Sequence, residues 1–447
     1  MSTVIRKLSW SKLADPRVAV TISGLGLLLG MLVGATAPNE ETLPLRLPFS
    51  HLLPSLGHSI VAPVMLYTGN VLACLGLAGM LWAHSQGWRP DPRRLLLVSA
   101  AVVAVMVSLT PVGSSDTASY AAYGRIAALG GNPYARTPQQ ALGAHSLYTL
   151  AVGTQWRTTP SVYGPLATVL QWFAATIGGA NAATTIWVLM ILNGLVFIGV
   201  GWLLLKTSDD PIRATLFWAA NPVLIQQLVS GGHLDTFVAA AAICSIQVAR
   251  RVSGKWGDVL IGILIGLACG VKINAALIGI GLAWPLLRRH EWLRTARIAV
   301  VALITVVVQY TFYGGPGVVL KPLVNASKQV TWPSPWWFID EIGKHAFGAS
   351  VGTLSLLTSV VWPVAMIVVA ALVYRRISSD QPREVVAPFA VTFAWIIVAP
   401  WVLAWYTALA WVTLTQVPRN RMTRWLTIVT VVLAFCHSSG GHIPPTQ

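Results

Sequence analysis

Asp116 stands in the stretch SSDTASYAAYGRIAAL, residues 114–129, directly after a long apolar run. An acid at a membrane boundary, flanked by Ser114, Ser115, Ser119 and Tyr120, is a candidate functional group by default. Its chemistry would be that of a general base that takes a proton from a hydroxyl. The same letters also make a good helix start, with small polar residues ahead of a periodic run. The two readings are compatible. A helix over 117–129 places Tyr120, Tyr123 or Gly124, and Ala127 on one face, with Arg125 on the more polar side. That predicts a short amphipathic helix lying on the membrane surface. GGNPYARTP, residues 130–138, ends it: Gly130 or Gly131 can take the left-handed cap position and Pro133 stops continuation.

Further clusters recur along the chain. TTPSVYGPL (158–166) puts Tyr163, Gly164 and Pro165 at the start of the next apolar segment. SGGHLDTF (230–237) carries His233 and Asp235. On a helix these two point about 200° apart, which argues against both ligating one metal; a polar helix start is the plain alternative. GVKIN (270–274) sets Lys272 between two apolar runs, where it must pair or snorkel, and a lipid phosphate is a natural partner. TWPSPWWFIDEIGKHAFG (331–348) offers Trp332, Trp336, Trp337 and Phe338, either to stack on sugar faces or to anchor in the interface. Trp405 and Tyr406 extend the aromatic set.

The elements that must position these residues follow from composition. Of 447 residues, 55% are hydrophobic and 10% charged, against roughly 25% charged in soluble chains. Mean hydropathy is +0.67. Apolar runs of about 18 residues or more recur throughout, which identifies an all-α polytopic membrane protein. The alternating ten-residue pattern of a membrane β-barrel is absent. The net charge of +16 does not point to nucleic acid, because the basic residues lie mainly in short loops, as the positive-inside bias requires. Four cysteines scattered in apolar runs suggest neither a zinc site nor disulfides.

Spans are expected near 18–37, 58–82 and 95–113. Arg6, Lys7, Lys12 and Arg17 make the N-terminus cytoplasmic, and Arg89, Arg93 and Arg94 the next inner loop. Residues 114–163 then form a first large external loop, and 314–350 a second, aromatic-rich one. The clusters Arg250–Lys255, Arg288–Arg297, Arg375–Arg383 and Arg419–Arg424 should all lie inside. Hairpins are expected over 257–270 with 272–287, 298–313 with 351–374, and 385–399 with 401–416, followed by a last span near 425–440. Between Tyr163 and Arg250 lie four apolar segments, 165–180, 182–205, 213–229 and 234–249, where an odd number of crossings is needed. One segment, and the short 165–180 stretch is the candidate, is therefore expected to be re-entrant, interfacial or fused with a neighbour. The total comes to about 11 to 13 spans in one transmembrane domain over residues 1–447.

The ordered set SSDTASYAAYGRIAALGGNPYARTP, TTPSVYGPL, NPVLIQQLVSGGHLDTF, GVKINAALI and PWVLAWY resembles the actinobacterial polyprenyl-phosphate-mannose-dependent α-1,6-mannosyltransferases of the lipomannan core. These are membrane glycosyltransferases of the GT-C class, and the resemblance covers about residues 95–415. It implies inverting transfer of mannose from a lipid phosphate to a mannan or lipid-linked glycan at the outer face of the plasma membrane. Asp116 would be, or support, the catalytic base. Relatives often carry Ser-Arg-Asp where this chain has Ser114-Ser115-Asp116, so Arg125, Arg136 or Lys272 would hold the donor phosphate. They commonly carry His-Asn-Asp where this chain has His233-Leu234-Asp235. Sugars would be met by Tyr120, Tyr123, Tyr134, Tyr163, His233, Asp235, Trp332, Trp336 and Trp337. A lipid donor removes any need for a nucleotide loop; no cofactor is expected, and with no dense carboxylate cluster in the sequence the reading leans against a divalent metal while leaving it open. Other polyprenyl-phosphate sugars (arabinose or glucose), a lipid-glycan flippase or transporter, and a membrane assembly subunit without activity are the alternative readings. A transporter would carry charged groups near mid-span, whereas these candidates sit at span ends.

Overall fold

Proline at the first helical turn, preceded by a short polar cap, starts one helix after another. Asp15 caps Pro16–Ala35, Asp91 caps Pro92–Met106, Asp210 caps Pro211–Phe217 and Ser334 caps Pro335–Phe347. The fixed proline φ suits the first turn, and the missing N–H is one that a helix leaves unpaired anyway. The structure, a computed structural model, describes residues 15–327, 329–377 and 383–437. Among them the regular structure is helical, with two isolated β-bridges, Asn39 to Gly57 and Thr42 to Val112. Arg6, Lys7 and Lys12, on which the cytoplasmic N-terminus partly rests, lie outside the described residues, as does the Arg383 side chain.

Five described helices are long and apolar enough to cross a membrane: Pro16–Ala35, Val61–Ser85, Ala182–Thr207, Trp292–Thr311 and Val351–Arg376. The last two leave most of their surface outside the protein core, as lipid-facing helices do. The other expected spans are shorter. Asp235–Arg251 has 17 residues, Gly254–Cys269 has 16 and Ala276–Arg288 has 13. Their polar flanks are drawn into turns instead of continuing the helix. The expected 213–229 span is broken: Pro211–Phe217 ends, Trp218–Asn221 turns, and the chain resumes as Pro222–Leu224 and a π-helix, Ile225–Ser230. The Asn221 side chain caps the restart through the amides of Val223 and Leu224.

The 165–180 segment is one short helix. It forms Pro165–Gly178, and both ends meet the 114–163 side. It begins directly after Tyr163, and the Tyr148 hydroxyl donates to Gly179 O at its end. It packs along Asp116–Ala128. That helix differs from the expected surface helix. All of Thr117–Gly124 is buried, because Ala, Ser and Gly on every side let neighbours approach all round.

The basic clusters expected to share a face do gather at one end. Arg250 bonds Asp209 and Gln416, Arg419 bonds Asp210, and Arg294 and Arg297 both reach Asp258. Asp116 belongs to the opposite end.

Candidate active site

The approach to Asp116 is fixed by backbone pairing. Val112 N donates to Ser230 O at 3.1 Å and Gly113 N to Glu41 O at 2.9 Å. The chain is thereby threaded between the 36–60 connection and the end of the π-helix, which sets Asp116 beside the 231–235 turn. Asp116 is the first residue of its helix. Its amide is satisfied by Ser114 Oγ at 3.1 Å, and its carboxylate does not cap. Instead the Tyr120 hydroxyl, one turn on, donates to Oδ2 at 3.2 Å. His233 Nδ1 lies 3.2 Å from the same oxygen, off the line of a good hydrogen bond. No hydrogen bond among the described residues uses Oδ1. Burial pushes the Asp116 carboxyl upward, but His233, Lys272 and Tyr120 together outweigh it, and the group is held below the ordinary carboxylate range.

His233 is 1% exposed at its side chain, against 20% for Asp116. Its ring stacks on Trp405 with centroids 3.6 Å apart and planes 11° from parallel. Asn193 Nδ2 donates to His233 O at 2.6 Å, and Thr236 Oγ1 donates to Asn193 Oδ1 at 3.2 Å. Helix Asp235–Arg251 begins only after this turn, so His233 and Asp235 are not related by helical rotation. They do diverge as the sequence suggested. His233 faces Asp116, whereas Asp235 Oδ2 takes the Lys272 ammonium at 2.6 Å. Lys272 is therefore paired, not snorkelling. It also lies over the rings of Tyr406, 4.6 Å from the centroid, and Tyr163, 5.9 Å away. Tyr163 closes the circuit edge-on against Tyr120 at 4.9 Å.

A single close approach brings two motifs together. Gly164 N donates to Val271 O at 3.0 Å, and a Cβ at Gly164 would collide with the Gly270 carbonyl. Only glycine lets TTPSVYGPL lie against GVKIN, and that contact sets Tyr163 over Lys272. Tyr123 holds the same loop, donating to Thr159 O at 2.9 Å. Its role is thus to position.

Other candidates fall elsewhere. Arg125 follows Asp116 by nine residues, which is about 13 Å along the axis and on the opposite face. Arg136 is exposed beyond the Gly130–Tyr134 turn. Neither meets the carboxylate. Gly130, with φ of 77°, is the residue that ends the helix. Tyr134 is buried, its hydroxyl 2.7 Å from Thr168 Oγ1 and its ring against Tyr313. Trp336 is buried with Nε1 donating to Val398 O at 2.6 Å, which makes it a packing residue. Trp332, Trp337 and Phe338 pack edge to face or tilted against one another, 4.7 to 5.2 Å between centroids. Thr331 ties their loop to Pro400 and Val402, just ahead of Trp405.

Sequence reasoning missed Asn193, although one buried amide in a 26-residue apolar helix is a readable signal. It also missed a small polar cavity lined by Asn70, Gln226, Ser230, His233 and His437. Among the described residues, no three His, Cys, Asp or Glu side chains gather as metal ligands would. Among the described residues Trp405 Nε1 has no hydrogen-bond partner, so a polar atom remains there for a ligand to satisfy.

Residues 18–288 match the family described as "Alpha-(1->6)-mannopyranosyltransferase, N-terminal domain". The chain is 28% identical over 251 residues to a "Probable alpha-(1->6)-mannopyranosyltransferase" of Mycolicibacterium smegmatis, covering 54% of this chain and 41% of that protein. It is 25% identical over 386 residues to "Alpha-(1->6)-mannopyranosyltransferase A" of Mycobacterium tuberculosis, covering 79% and 72%. The protein of the same description from Corynebacterium glutamicum is 25% identical over 354 residues, 70% of each chain. The chain thus spans about two fifths of the first of these relatives and about seven tenths of the other two. No solved structure matches it.

Proposed function

The chain belongs to the alpha-(1->6)-mannopyranosyltransferase family, and from that premise we propose that it transfers a mannosyl residue from polyprenyl-phosphate-mannose to a mannan or lipid-linked glycan, with α-1,6 linkage. The observation that carries the chemistry is the joining of a free carboxylate oxygen to a buried cation within one cluster. Asp116 keeps Oδ1 unbonded, and Lys272 reaches it through Tyr163 and Tyr120. The acceptor hydroxyl oxygen bonds to the anomeric carbon as the bond from that carbon to the phosphate oxygen breaks. The electron pair leaves with the phosphate, and the hydroxyl proton passes to Asp116. Attack opposite the leaving group inverts the anomeric configuration. Lys272 stabilises the departing lipid phosphate, and His233 with Tyr120 orients the base. Asp116, ionised by its surroundings, is already in the form a base needs. The step is proposed without a metal or further cofactor.

The site is proposed to face outward at the plasma membrane, with the N-terminus in the cytoplasm. The gathering of basic clusters at the end away from Asp116 supports this orientation through the positive-inside bias. The test is Asp116→Asn in nanodiscs, assayed with mannose, arabinose and glucose polyprenyl phosphates and an α-mannoside acceptor. Loss of mannosyl transfer by a folded variant is expected. Equal transfer by variant and wild type would sink the assignment of the base. Faster transfer of arabinose or glucose by the wild type would sink the choice of donor.

A further inference from the structure

Helix Asp235–Arg251 runs about 25 Å from the candidate active site to a second polar feature at its other end. There a pocket of about 380 Å³ opens between this helix, Gly254–Cys269 and Trp292–Thr311. Its walls carry Arg250, Arg251, Lys255, Arg294 and Arg297, with Asp258 as the one acid. Asp258 is 1% exposed and takes both arginines of the third helix, Arg294 Nε at 3.1 Å and Arg297 Nη1 at 2.6 Å. Glu291 takes Arg294 as well, at 2.6 Å, and Asp209 takes Arg250 at 3.1 Å. Five cations therefore face three carboxylates. Arg251 bonds only the Thr207 carbonyl, and Lys255 lies over the Trp256 ring at 5.6 Å. Neither has a carboxylate partner among the described residues. The buried Asp258 fixes two guanidiniums from below, so the concave wall is held in place and keeps unspent positive charge.

The rim says which anion this suits. Trp256, Trp292 and Leu293 are exposed beside the pocket, and tryptophans in such places mark headgroup depth. Trp292–Thr311 buries almost none of its apolar face in the protein, so hydrocarbon must cover it. A soluble anion would use the charge and leave this apolar flank idle. We propose that the pocket binds the phosphate of an anionic glycerophospholipid, with the acyl chains lying along the exposed flank of Gly254–Cys269 and Trp292–Thr311. The site is separate from mannosyl transfer and does not depend on it.

The probe is phosphatidylglycerol, titrated into the detergent-solubilised full chain and followed by native mass spectrometry and thermal unfolding. Phosphatidylcholine and inorganic phosphate are the controls. Wild type should retain phosphatidylglycerol in preference to phosphatidylcholine and gain thermal stability from it. The double variant Arg251→Gln, Lys255→Gln touches no ion pair and should lose roughly thirtyfold in affinity, at about one tenfold step or less per basic residue, with its lipid-free unfolding temperature unchanged. Arg251→Gln alone serves if the double variant does not fold, with a smaller loss in the same direction. Equal retention of the two lipids, or unchanged affinity in the variants, would overturn the proposal. So would stabilisation by inorganic phosphate alone to the same extent, because the site would then be one for a free anion.

Discussion

Lys272 is asked to do two things, and its ion pair offers a way to separate them. The ammonium sits 2.6 Å from Asp235 Oδ2, with side-chain exposures of 11% and 6%. Lys272→Met keeps the length of the side chain and removes the charge. Asp235 is then left as an uncompensated carboxylate in a nearly dry place, a change that costs about 3–5 kcal/mol. In a chain of this size that is about 3–5 °C in unfolding temperature. Adding Asp235→Asn removes the orphaned charge, and stability should return to within about 1 kcal/mol of wild type, because replacing both members of a buried pair is often near neutral. Activity should not return with it. If the ammonium stabilises the departing lipid phosphate, both the single and the double variant lose about 10²–10³-fold in kcat, the usual cost of one such electrostatic contact. Scanning fluorimetry and mannosyl transfer from polyprenyl-phosphate-mannose, run on the same nanodisc preparation, read the two effects side by side. A double variant that is stable and also transfers mannose within about threefold of wild type would refute the reasoning, since Lys272 would then be only the structural partner of Asp235.

The remaining predictions concern the base and its supports. Asp116 is held below the ordinary carboxylate range, so its base function persists down through that range and fails only as pH drops past the depressed value. The profile of kcat/KM should therefore show no acid limb above about pH 5 that moves on Asp116→Glu substitution. Gly124→Ala would push a methyl into the Gln171 backbone carbonyl, separating Asp116–Ala128 from Pro165–Gly178. A loss of about 1–3 kcal/mol or more, seen as a lower unfolding temperature with reduced transfer, is expected, and an unchanged variant would disprove the contact. Glu41, whose carbonyl holds Gly113, is pushed up from 4.5 to about 7 by burial and then by Glu40. Its raised value means that its stabilising share is complete below about pH 4.5 and lost as pH rises through about 7. Glu41→Gln should thus raise the unfolding temperature at pH 8, by at most about 3 kcal/mol of stability, and change little at pH 4.5. An equal effect at both pH values would count against a buried, charge-penalised Glu41.

Local sequence was enough for some of this and not for the rest, for identifiable reasons. Asp116 was legible because an acid at the end of an apolar run is costly and needs a purpose. The parity of charged loops, a global constraint that local propensity does not carry, singles out 165–180 as the odd segment, and it folds as a helix of 14 residues. The Asp116–Ala128 helix was misjudged as a surface helix. Its period was read correctly, but small residues on all faces allow burial all round, and a polar side made of Ala, Ser and Gly is not a wet side. Arg125 and Arg136 enter as cations that would replace the arginine relatives carry before the acid, and nine residues of helix and a turn set them at a distance from it. His233 was singled out, but its contact with Asp116 spans over a hundred residues, and no local pattern encodes that register. For Lys272 the sequence leaves pairing and snorkelling both open, and the pairing with Asp235 comes only with the fold.

The site also explains where this chain breaks its helices. Non-helical backbone at membrane depth is tolerated only where protein buries it or a polar cavity lines it. The stretches at Val107–Ser115, Pro160–Gly164, Gly231–Leu234, Gly270–Lys272 and Ala399–Leu403 all leave regular helix, and a π-helix leads into the third. They cross-connect by Val112 N to Ser230 O and Gly164 N to Val271 O, while the ring stack of Trp405 on His233 joins the fifth to the third. Each delivers at or beside its end a residue of the cluster: Asp116, Tyr163, His233, Lys272 and Trp405. Each break leaves amides and carbonyls that its own helix no longer pairs, and two of the amides, those of Val112 and Gly164, are satisfied at another break. Closing the second with continuous helix would take the Gly164 amide from Val271 O, and closing the first would take the Val112 amide from Ser230 O. The polar side chains could then be substituted one at a time with loss of chemistry, whereas a lost break would undo the meeting of the helices themselves.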